Sequence, residues 1–252
     1  MERIEGFSSS EIHKLVDFGT RKMTPKELAD WKKNNPKSRV TTIKDGFSKV
    51  GLTYIKEKSY EIKLGQTLDN EQYSKSTSWG HVVESFAYQR IPVEALGLSA
   101  RLKSKTRKSH PKLRWSGASD FETEDMVGDI KCPFTRKSFC VQVDIYEQVR
   151  KGNIENFKIN KPDYYWQLVS NAVLSNKNYG MAVCFLPTED DVLEILSESN
   201  LEFDPNDDPH LSLCKERLKW LRLEETPYLK MNSYYDSINW VRFKIPEQDK
   251  KM

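Results

Sequence analysis

Two carboxylates and a lysine at a fixed spacing constrain this chain more than any other feature of its sequence. Asp120 is followed, after eight intervening residues, by the tripeptide Asp129-Ile130-Lys131. Side chains two apart on a β-strand project from the same face, so a strand through the tripeptide would present Asp129 and Lys131 together and turn Ile130 to the core.

The sequence around these residues predicts a β-hairpin. Residues 122–125 are polar and turn-prone, and Met126–Cys132 is an apolar-rich run. A turn followed by such a run is typical of the second strand of a hairpin. Asp120, on the first strand, would then face Asp129 and Lys131 across the hairpin.

This arrangement has the chemistry of a metal-dependent phosphodiester hydrolase. Two acidic side chains and the Ile130 carbonyl would form a hard oxygen pocket suited to Mg²⁺ or Mn²⁺. The Lys131 ammonium would lie where an attacking water or a scissile phosphate is held. The alternative is an ordinary surface salt bridge between Asp129 and Lys131, which a chain this rich in charge produces readily.

Three motifs in a fixed order resemble one known family. They are Lys-Cys-Pro-Phe-Thr-Arg-Lys-Ser-Phe at 131–139, Ser-Trp-Gly-His-Val-Val-Glu at 78–84, and the run from Asp163 to Tyr179 that contains Tyr-Tyr-Trp-Gln at 164–167. Together they resemble the phage lambda exonuclease and YqaJ-type viral recombinase family of the PD-(D/E)XK nuclease superfamily. The resemblance spans about residues 77–187.

The resemblance implies a role for each matched residue. Glu84, Asp120, Asp129 and the Ile130 carbonyl would hold two Mg²⁺ ions, for which Mn²⁺ can substitute. Lys131 would position and help to deprotonate the attacking water, and Gln167 would orient it. The residues themselves leave other interpretations open. Glu84 can be a solvated residue at the edge of an amphipathic helix, and Gln167 can bond ordinary backbone groups.

The chain departs from the family pattern at three places. Asp129 stands where lambda-type enzymes usually carry Glu, which shortens the side chain but keeps its charge. Ser119 replaces the proline of the Pro-Asp signature, and Ala118 replaces a serine that binds the terminal 5′-phosphate in the family. An arginine completes that pocket in the family, and Arg39 is the candidate here. Recognition of a 5′-phosphate is therefore in question.

A basic run precedes the predicted hairpin. Seven basic and no acidic residues lie between Leu98 and Asp120. They can form a solvated loop, but next to a phosphodiester site they favour contact with the DNA backbone. Arg136 and Lys137, just after the active strand, match the family segment beside the scissile end. The predicted DNA-binding residues are Arg114, Ser119, Arg136, Lys137, Arg39 and Lys112.

Composition limits the architecture and the chemistry. A chain of 252 residues with 37% hydrophobic content can bury one sizeable core, so we predict a single PD-(D/E)XK domain over residues 1–252, with N-terminal helical and C-terminal extensions around the core at 77–187. No apolar run approaches the roughly 20 residues of a membrane span, and the first residues lack the apolar region of a signal peptide, so a cytoplasmic location is expected. Cysteine and histidine spacings argue against an iron–sulfur cluster and against zinc hydrolysis.

The element pattern predicts a mixed α/β fold, with a central mixed β-sheet flanked by helices. Thr24-Pro25-Lys26-Glu27 is a capping box that begins a helix to about Asn34. The other predicted helices cover 49–63, 77–90, 138–150, 162–176, 188–199 and 211–222, and the predicted strands cover 98–104, 113–121, 126–132, 179–186 and 238–245. From residue 77 onward the order αβββαβ is that of the PD-(D/E)XK core.

Four aromatic residues of the last 60 positions have two interpretations. Trp220, Tyr234, Tyr235 and Trp240 can form a local core or a platform for stacking bases, and we favour the local core.

The sequence therefore predicts an Mg²⁺-dependent DNA exonuclease that degrades duplex ends for recombination or end resection, and the resemblance implies 5′-to-3′ polarity. The resemblance also implies a homotrimer, with a single-strand annealing protein as a partner. One alternative is a site-specific or structure-specific endonuclease of restriction type, because the same residues serve both activities. The other is a DNA-binding protein without catalysis, which the intact set of site residues argues against.

Overall fold

The computed structural model describes residues 6–68, 74–92, 95, 107–202, 204, 207 and 209–251. The strands are β1 (Phe7–Ser8), β2 (Phe18–Lys22), β3 (Thr42–Phe47), β4 (Lys108–Ser109), β5 (Trp115–Gly117), β6 (Phe121–Glu122), β7 (Met126–Lys131), β8 (Tyr179–Phe185) and β9 (Ile238–Lys244). The helices in the described residues are α1 (His13–Val16), α2 (Pro25–Asn34), α3 (Lys49–Leu64), α4 (Lys75–Gln89), α5 (Arg136–Arg150), α6 (Ile154–Asn160), α7 (Pro162–Ser175), α8 (Glu189–Ile195), α9 (Glu198–Leu201), α10 (Pro209–Leu218) and α11 (Glu247–Lys250).

A four-stranded mixed sheet lies at the centre of the molecule. Its strand order is β6-β7-β8-β9. β7 and β8 are parallel, with Lys131 opposite Cys184, and the two outer pairs are antiparallel. Because β7 and β8 are covered on both faces, almost all of their residues are buried. This burial explains why the sequences of β7 and β8 are mostly apolar.

Alternate residues of β7 and β8 belong to two separate hydrophobic clusters. On one face, Ile130 and Met181 pack with α4 through Trp79 and Val83. On the other face, residues such as Val127 pack with the buried side chains of α5, α6 and α7. The sheet is therefore a middle layer between two layers of helices, as the period of two predicts.

Several predicted elements are present. Thr24 caps α2, and the capping box with Glu27 is formed. The predicted helices at 49–63, 77–90, 138–150 and 162–176 correspond to α3, α4, α5 and α7, and the strand at 179–186 corresponds to β8. The predicted strand at 98–104 lies outside the described residues.

The prediction of one strand over Leu113–Phe121 is wrong. β5 pairs with β1 and β4 in a separate small sheet, whereas β6 pairs with β7 in the central sheet. Helix α7 contacts the segment between these two strands. The Asn171 side-chain amide donates to the Ala118 carbonyl at 3.1 Å. The predicted helix over 188–199 is likewise divided, into α8 and α9.

Residues 18–47 form an arm, which consists of β2, α2 and β3. The two strands pair with each other in a two-stranded sheet. At the base, the Ser48 backbone N–H donates to the Asp17 carbonyl at 3.1 Å. Every residue of the arm is described, and none is buried. The arm therefore lies outside both hydrophobic clusters.

The preferred interpretation of the C-terminal aromatics is wrong for two of the four. Trp220 is 85% exposed and Tyr234 is 92% exposed. Tyr235 and Trp240 are partly buried and pack against the two hydrophobic clusters, as expected of a local core. No helix among the described residues has the length and apolar character needed to span a membrane.

Candidate active site

The end of β7 brings Lys131 to the edge of the central sheet. Lys131 is the last residue of the strand, and its side chain is 24% exposed, whereas that of Asp129 is 2% exposed. Both residues point to the face covered by α5–α7, while Ile130 packs on the opposite face. The alternation predicted from the sequence is therefore present.

Three groups surround the Lys131 ammonium. Its Nζ lies 2.7 Å from Asp129 Oδ2 and donates to Gln167 Oε1 at 3.3 Å. It also lies 4.9 Å from the centre of the Tyr164 ring. Burial alone would lower the pKa of Lys131, but the negative charges of Asp129 and Asp120 outweigh it and raise that pKa above its ordinary value. The lysine is therefore held as a fixed cation.

Asp120 reaches the same place from the loop before β6. Its backbone N–H donates to the Gly128 carbonyl at 3.0 Å, and its Oδ2 accepts from the Ile130 N–H at 2.6 Å. The pairing of Phe121 with Gly128 in the β6–β7 ladder explains this position, because Asp120 is the next residue outward. The hairpin thus brings Asp120 beside the tripeptide.

Glu84 approaches from the other layer, on α4. It is half-buried and lines a cleft of about 210 Å³ together with Ile130, Lys131, Cys132 and Tyr164. Burial, and then the negative charge of Glu84, raises the pKa of the Cys132 thiol, with a smaller contribution from Asp120. The carboxylates of Glu84 and Asp120 therefore both influence the Cys132 thiol. We call Glu84, Asp120, Asp129, Lys131 and Gln167 the site cluster.

The donor chemistry of this cluster fits a hard divalent cation. Carboxylate oxygens and a backbone carbonyl are the ligands that Mg²⁺ and Mn²⁺ prefer. No three acidic, histidine or cysteine side chains in the described part of the chain are grouped closely enough to form a ready metal centre. Asp129 Oδ2, for example, is engaged by Lys131. Metal binding therefore requires these side chains to adjust.

A second group of polar residues supports the Asp120 loop, and the sequence prediction missed it. Glu122 was placed in the turn, but it lies in β6 and is 7% exposed. Its Oε1 accepts from the hydroxyls of Ser119 at 2.9 Å and Ser175 at 2.8 Å, and its Oε2 accepts from Lys108 Nζ at 2.6 Å. We call Lys108, Ser119, Glu122 and Ser175 the anchor cluster.

One face of α7 connects the anchor cluster to the site cluster. Gln167, Asn171 and Ser175 are spaced four apart, which places them in one row along the helix. Gln167 contacts Lys131, Asn171 contacts the Ala118 carbonyl, and Ser175 contacts Glu122. A row of polar residues in an otherwise apolar helix was the signal in the sequence that could have revealed this role.

The predicted DNA-binding residues lie in different environments. Lys112 and Arg114 are exposed in the loop before β5. Arg136 and Lys137 are exposed at the first turn of α5, where Arg136 Nε donates to the Tyr228 carbonyl at 3.1 Å. Ser119 is 3% exposed and belongs to the anchor cluster, so this burial does not support its predicted DNA contact.

Arg39 is exposed on the arm, between α2 and β3. None of the contacts described for the site cluster includes it. Of the predicted basic run, Arg101, Lys103 and Lys105 lie outside the described residues. Their predicted DNA contacts, and that of Arg39, stay predictions.

Comparison with known proteins identifies the fold. No family model matches the sequence. No curated protein matches it. A phage-related exonuclease from Haemophilus somnus 129PT is similar in structure, with a TM-score of 0.52 and 13% identity over 98% of this chain and 87% of that chain. An alkaline exonuclease from Laribacter hongkongensis gives a TM-score of 0.47 and 14% identity over 86% of this chain and 89% of that chain.

The similarity to the phage-related exonuclease shows the fold of this chain. The predicted mixed α/β fold, with a central mixed sheet flanked by helices, is confirmed. The predicted resemblance to phage exonucleases is confirmed at the level of structure.

Proposed function

We propose that this protein is a metal-dependent deoxyribonuclease that hydrolyses phosphodiester bonds at the ends of duplex DNA. The observation that carries the proposal is the position of Lys131. Its ammonium lies 2.7 Å from Asp129 and 3.3 Å from Gln167. The neighbouring residue, Ile130, donates its backbone N–H to Asp120. A lysine ion pair on the surface would need neither the buried carboxylate nor the glutamine. The similarity in fold to a phage-related exonuclease supports the same function.

Each residue of the site cluster has a definite task in this proposal. The Lys131 ammonium holds the attacking water and offsets negative charge on the phosphate, and Gln167 fixes the direction of the ammonium. The carboxylates of Glu84, Asp120 and Asp129 and the Ile130 carbonyl would hold the cation. A divalent ion in such a site activates water and stabilises the leaving oxygen.

The family resemblance extends the proposal in several directions. We propose Mg²⁺ as the ion, 5′-to-3′ polarity, and a role in recombination or end resection in the bacterial cytoplasm. We also propose one nuclease domain, a homotrimeric assembly and a single-strand annealing protein as a partner. Lys112, Arg114, Arg136 and Lys137 are proposed to bind the DNA backbone, because they are exposed cations near the site in the sequence.

A site-specific or structure-specific endonuclease is the second candidate, and one observation favours it. Ala118 has no hydroxyl, and the Ser119 hydroxyl donates to Glu122 in the interior. The segment beside Asp120 therefore offers no side-chain donor for a terminal 5′-phosphate. An enzyme without a hydroxyl that binds the terminal 5′-phosphate has one contact fewer with which to recognise a DNA end.

The two candidates differ in their action on DNA without ends. We would incubate the protein and Mg²⁺ with a linear duplex, carrying either a 5′-phosphate or a 5′-hydroxyl, and with a covalently closed circle. Loss of the linear DNA alone is the expected result, with similar rates for the two ends if Ala118 has removed phosphate recognition. Cutting of the circle would establish the endonuclease, and no Mg²⁺-dependent loss of either DNA would contradict both candidates.

A further inference from the structure

The arm has an unusual distribution of charge. Its 30 residues include eight basic and three acidic residues, a net charge of +5, whereas the whole chain has a net charge of +3. The remaining 222 residues together therefore carry a net charge of −2. The positive charge of this protein is concentrated in a part of the chain that contributes no buried residue.

The three acidic residues of the arm are all engaged by two of its basic residues. Arg21 binds both oxygens of Glu27, at 2.7 and 2.8 Å, and its Nε lies 2.5 Å from Asp45 Oδ2. Lys33 Nζ lies 2.9 Å from Asp30 Oδ1. These contacts tie β2, α2 and β3 together, since Arg21 lies in β2, Glu27 in α2 and Asp45 in β3.

Six cations of the arm are left without an acidic partner among the described residues. Arg21 and Lys33 neutralise the internal acids, so the excess positive charge lies on the other basic residues. These are Lys22, Lys26, Lys32, Lys37, Arg39 and Lys44, of which Lys44 lies 5.8 Å from the Phe18 ring. All six are exposed.

We propose that the arm is a binding surface for the phosphate backbone of duplex DNA. The inference rests on the proposed function, which makes duplex DNA the substrate, and it assigns a contact outside the site cluster. Five of the six cations are lysines, and a lysine ammonium can contact a phosphate as a point charge on a flexible stem, without a fixed geometry.

The internal ion pairs explain how an element without a core can present these lysines. Arg21 joins three segments through exposed ion pairs, in addition to the backbone pairing of β2 with β3. Thr24 and Glu27 fix the first turn of α2, next to Lys26. The arm therefore presents exposed lysines on a paired backbone, and phosphate contacts of this kind add affinity without reading the sequence of the DNA.

The salt dependence of DNA binding tests this inference. The variant K22Q/K26Q/K32Q/K37Q removes four lysines of the arm. The matched control, K151Q/K219Q/K244Q/K251Q, removes four exposed lysines elsewhere. Binding of a fluorescent duplex would be measured by anisotropy, without divalent ions to prevent cleavage, over a range of salt concentrations. Circular dichroism would check that both variants fold as the wild type does.

The expected result is a shallower dependence of the binding constant on salt in the arm variant. Each phosphate contact contributes about 0.9 to the slope of log K against log salt, so the slope should fall by roughly 2 to 3.5. Affinity near physiological salt should fall about tenfold or more. In the control, the slope should change by less than about 1, the value of a single phosphate contact.

Equal behaviour of the two variants would overturn the inference, and the charge of the arm would then serve another partner, such as an acidic protein. That outcome would leave the proposed function intact if the wild type binds the duplex and degrades linear DNA. A wild type that binds no DNA at any salt concentration would instead remove the proposed function itself.

Discussion

The arm and the site cluster organise their polar residues in opposite ways. In the arm, Arg21 and its partners are exposed, and water competes for each of their contacts. In the site and anchor clusters, Asp129 and Glu122 are buried, and protein groups replace water. The same kinds of residue therefore form exposed ion pairs in the arm and buried hydrogen bonds beside the central sheet.

The difference lies in the cost of losing a partner. A buried polar group that loses its hydrogen bond costs about 1–3 kcal/mol, because water cannot replace the missing group. An exposed ion pair that is broken is rehydrated at once, and its contribution is screened by salt. Substitutions near the sheet should therefore change activity and stability, whereas substitutions in the arm should change binding.

Replacement of Lys131 should give the largest effect. In K131A, cleavage should fall by about a thousandfold or more, because the group that holds the water and offsets the phosphate charge is gone. The protein should still fold and bind DNA. The measurement is the initial rate on linear duplex with Mg²⁺, with duplex binding determined separately.

K161A is a matched control for this variant. Lys161 Nζ lies 5.0 Å from the centre of the same Tyr164 ring. Its loss should leave the rate within about threefold of the wild-type rate, well short of the effect of a general catalytic group. Normal turnover in K131A would contradict the assignment of the active site.

Removal of the Glu122 side chain should have the next largest effect. E122A leaves Lys108 and the hydroxyls of Ser119 and Ser175 without their shared acceptor, so we expect a loss of about 2 kcal/mol in the free energy of unfolding. Since the Asp120 loop loses its support, kcat should fall about tenfold while KM changes little. Urea unfolding and steady-state kinetics would measure the two effects.

E124A is the control, because Glu124 is an exposed carboxylate in the adjoining turn. It should resemble the wild type in both measurements. Glu122 acts in this scheme as a positioning residue for Asp120. A variant E122A that loses stability but keeps the wild-type kcat would show that its role is structural alone.

The pH dependence of stability should also depend on Glu122. Burial would raise the pKa of this carboxyl, but the hydrogen bonds from Lys108, Ser175 and Ser119 lower it overall. A group whose pKa is lowered by folding stabilises the protein above its ordinary pKa, about 4.3 for glutamate, and loses that contribution as the pH falls through the folded value. The stability difference between wild type and E122Q should therefore be largest near pH 7 and shrink below about pH 4. A difference that stays constant from pH 7 to pH 3 would contradict this.

Substitution in the arm should have the smallest effect on the fold. Arg21→Gln breaks exposed ion pairs outside the hydrophobic clusters, so the thermal midpoint should stay within about 1 °C of the wild-type value. Hydrogen bonds from Arg21 and Thr24 lower the pKa of Glu27 to about 2, and in the variant this pKa should rise toward its ordinary value. Duplex binding should weaken slightly, because the carboxylates of Glu27 and Asp45 are released. A large fall in the midpoint would mean that the arm is part of the cooperative core.

The arrangement of the proposed catalytic residues could be predicted from the sequence. Asp129 and Lys131 obey the period of a strand, and one hairpin turn brings Asp120 beside them. Their partners on α7 were less visible, because contacts across 36 and 53 residues depend on packing that no local pattern contains. Glu122 was misplaced for the same reason. A glutamate next to a turn is usually solvated, and its burial here depends on Lys108 and Ser175.

The arm shows the other limit of sequence prediction. Its helix was found, because the capping box at Thr24 is a local signal. Its strands were not predicted, because β2 and β3 pair with each other and expose most residues on both faces. Without a buried face, a strand has no alternation of apolar and polar residues.

The row of polar residues on α7 has a consequence for transplanting this site into another protein. A graft of the hairpin 120–131 alone would carry the carboxylates and the lysine but not the residues that hold them. Gln167, Asn171 and Ser175 act from a helix that begins more than 30 residues later in the chain. The smallest portable unit is therefore discontinuous: residues 108–131 with α7, together with Glu84 on α4. A host protein would have to accommodate the strand together with both helices, which pack on opposite faces of the sheet.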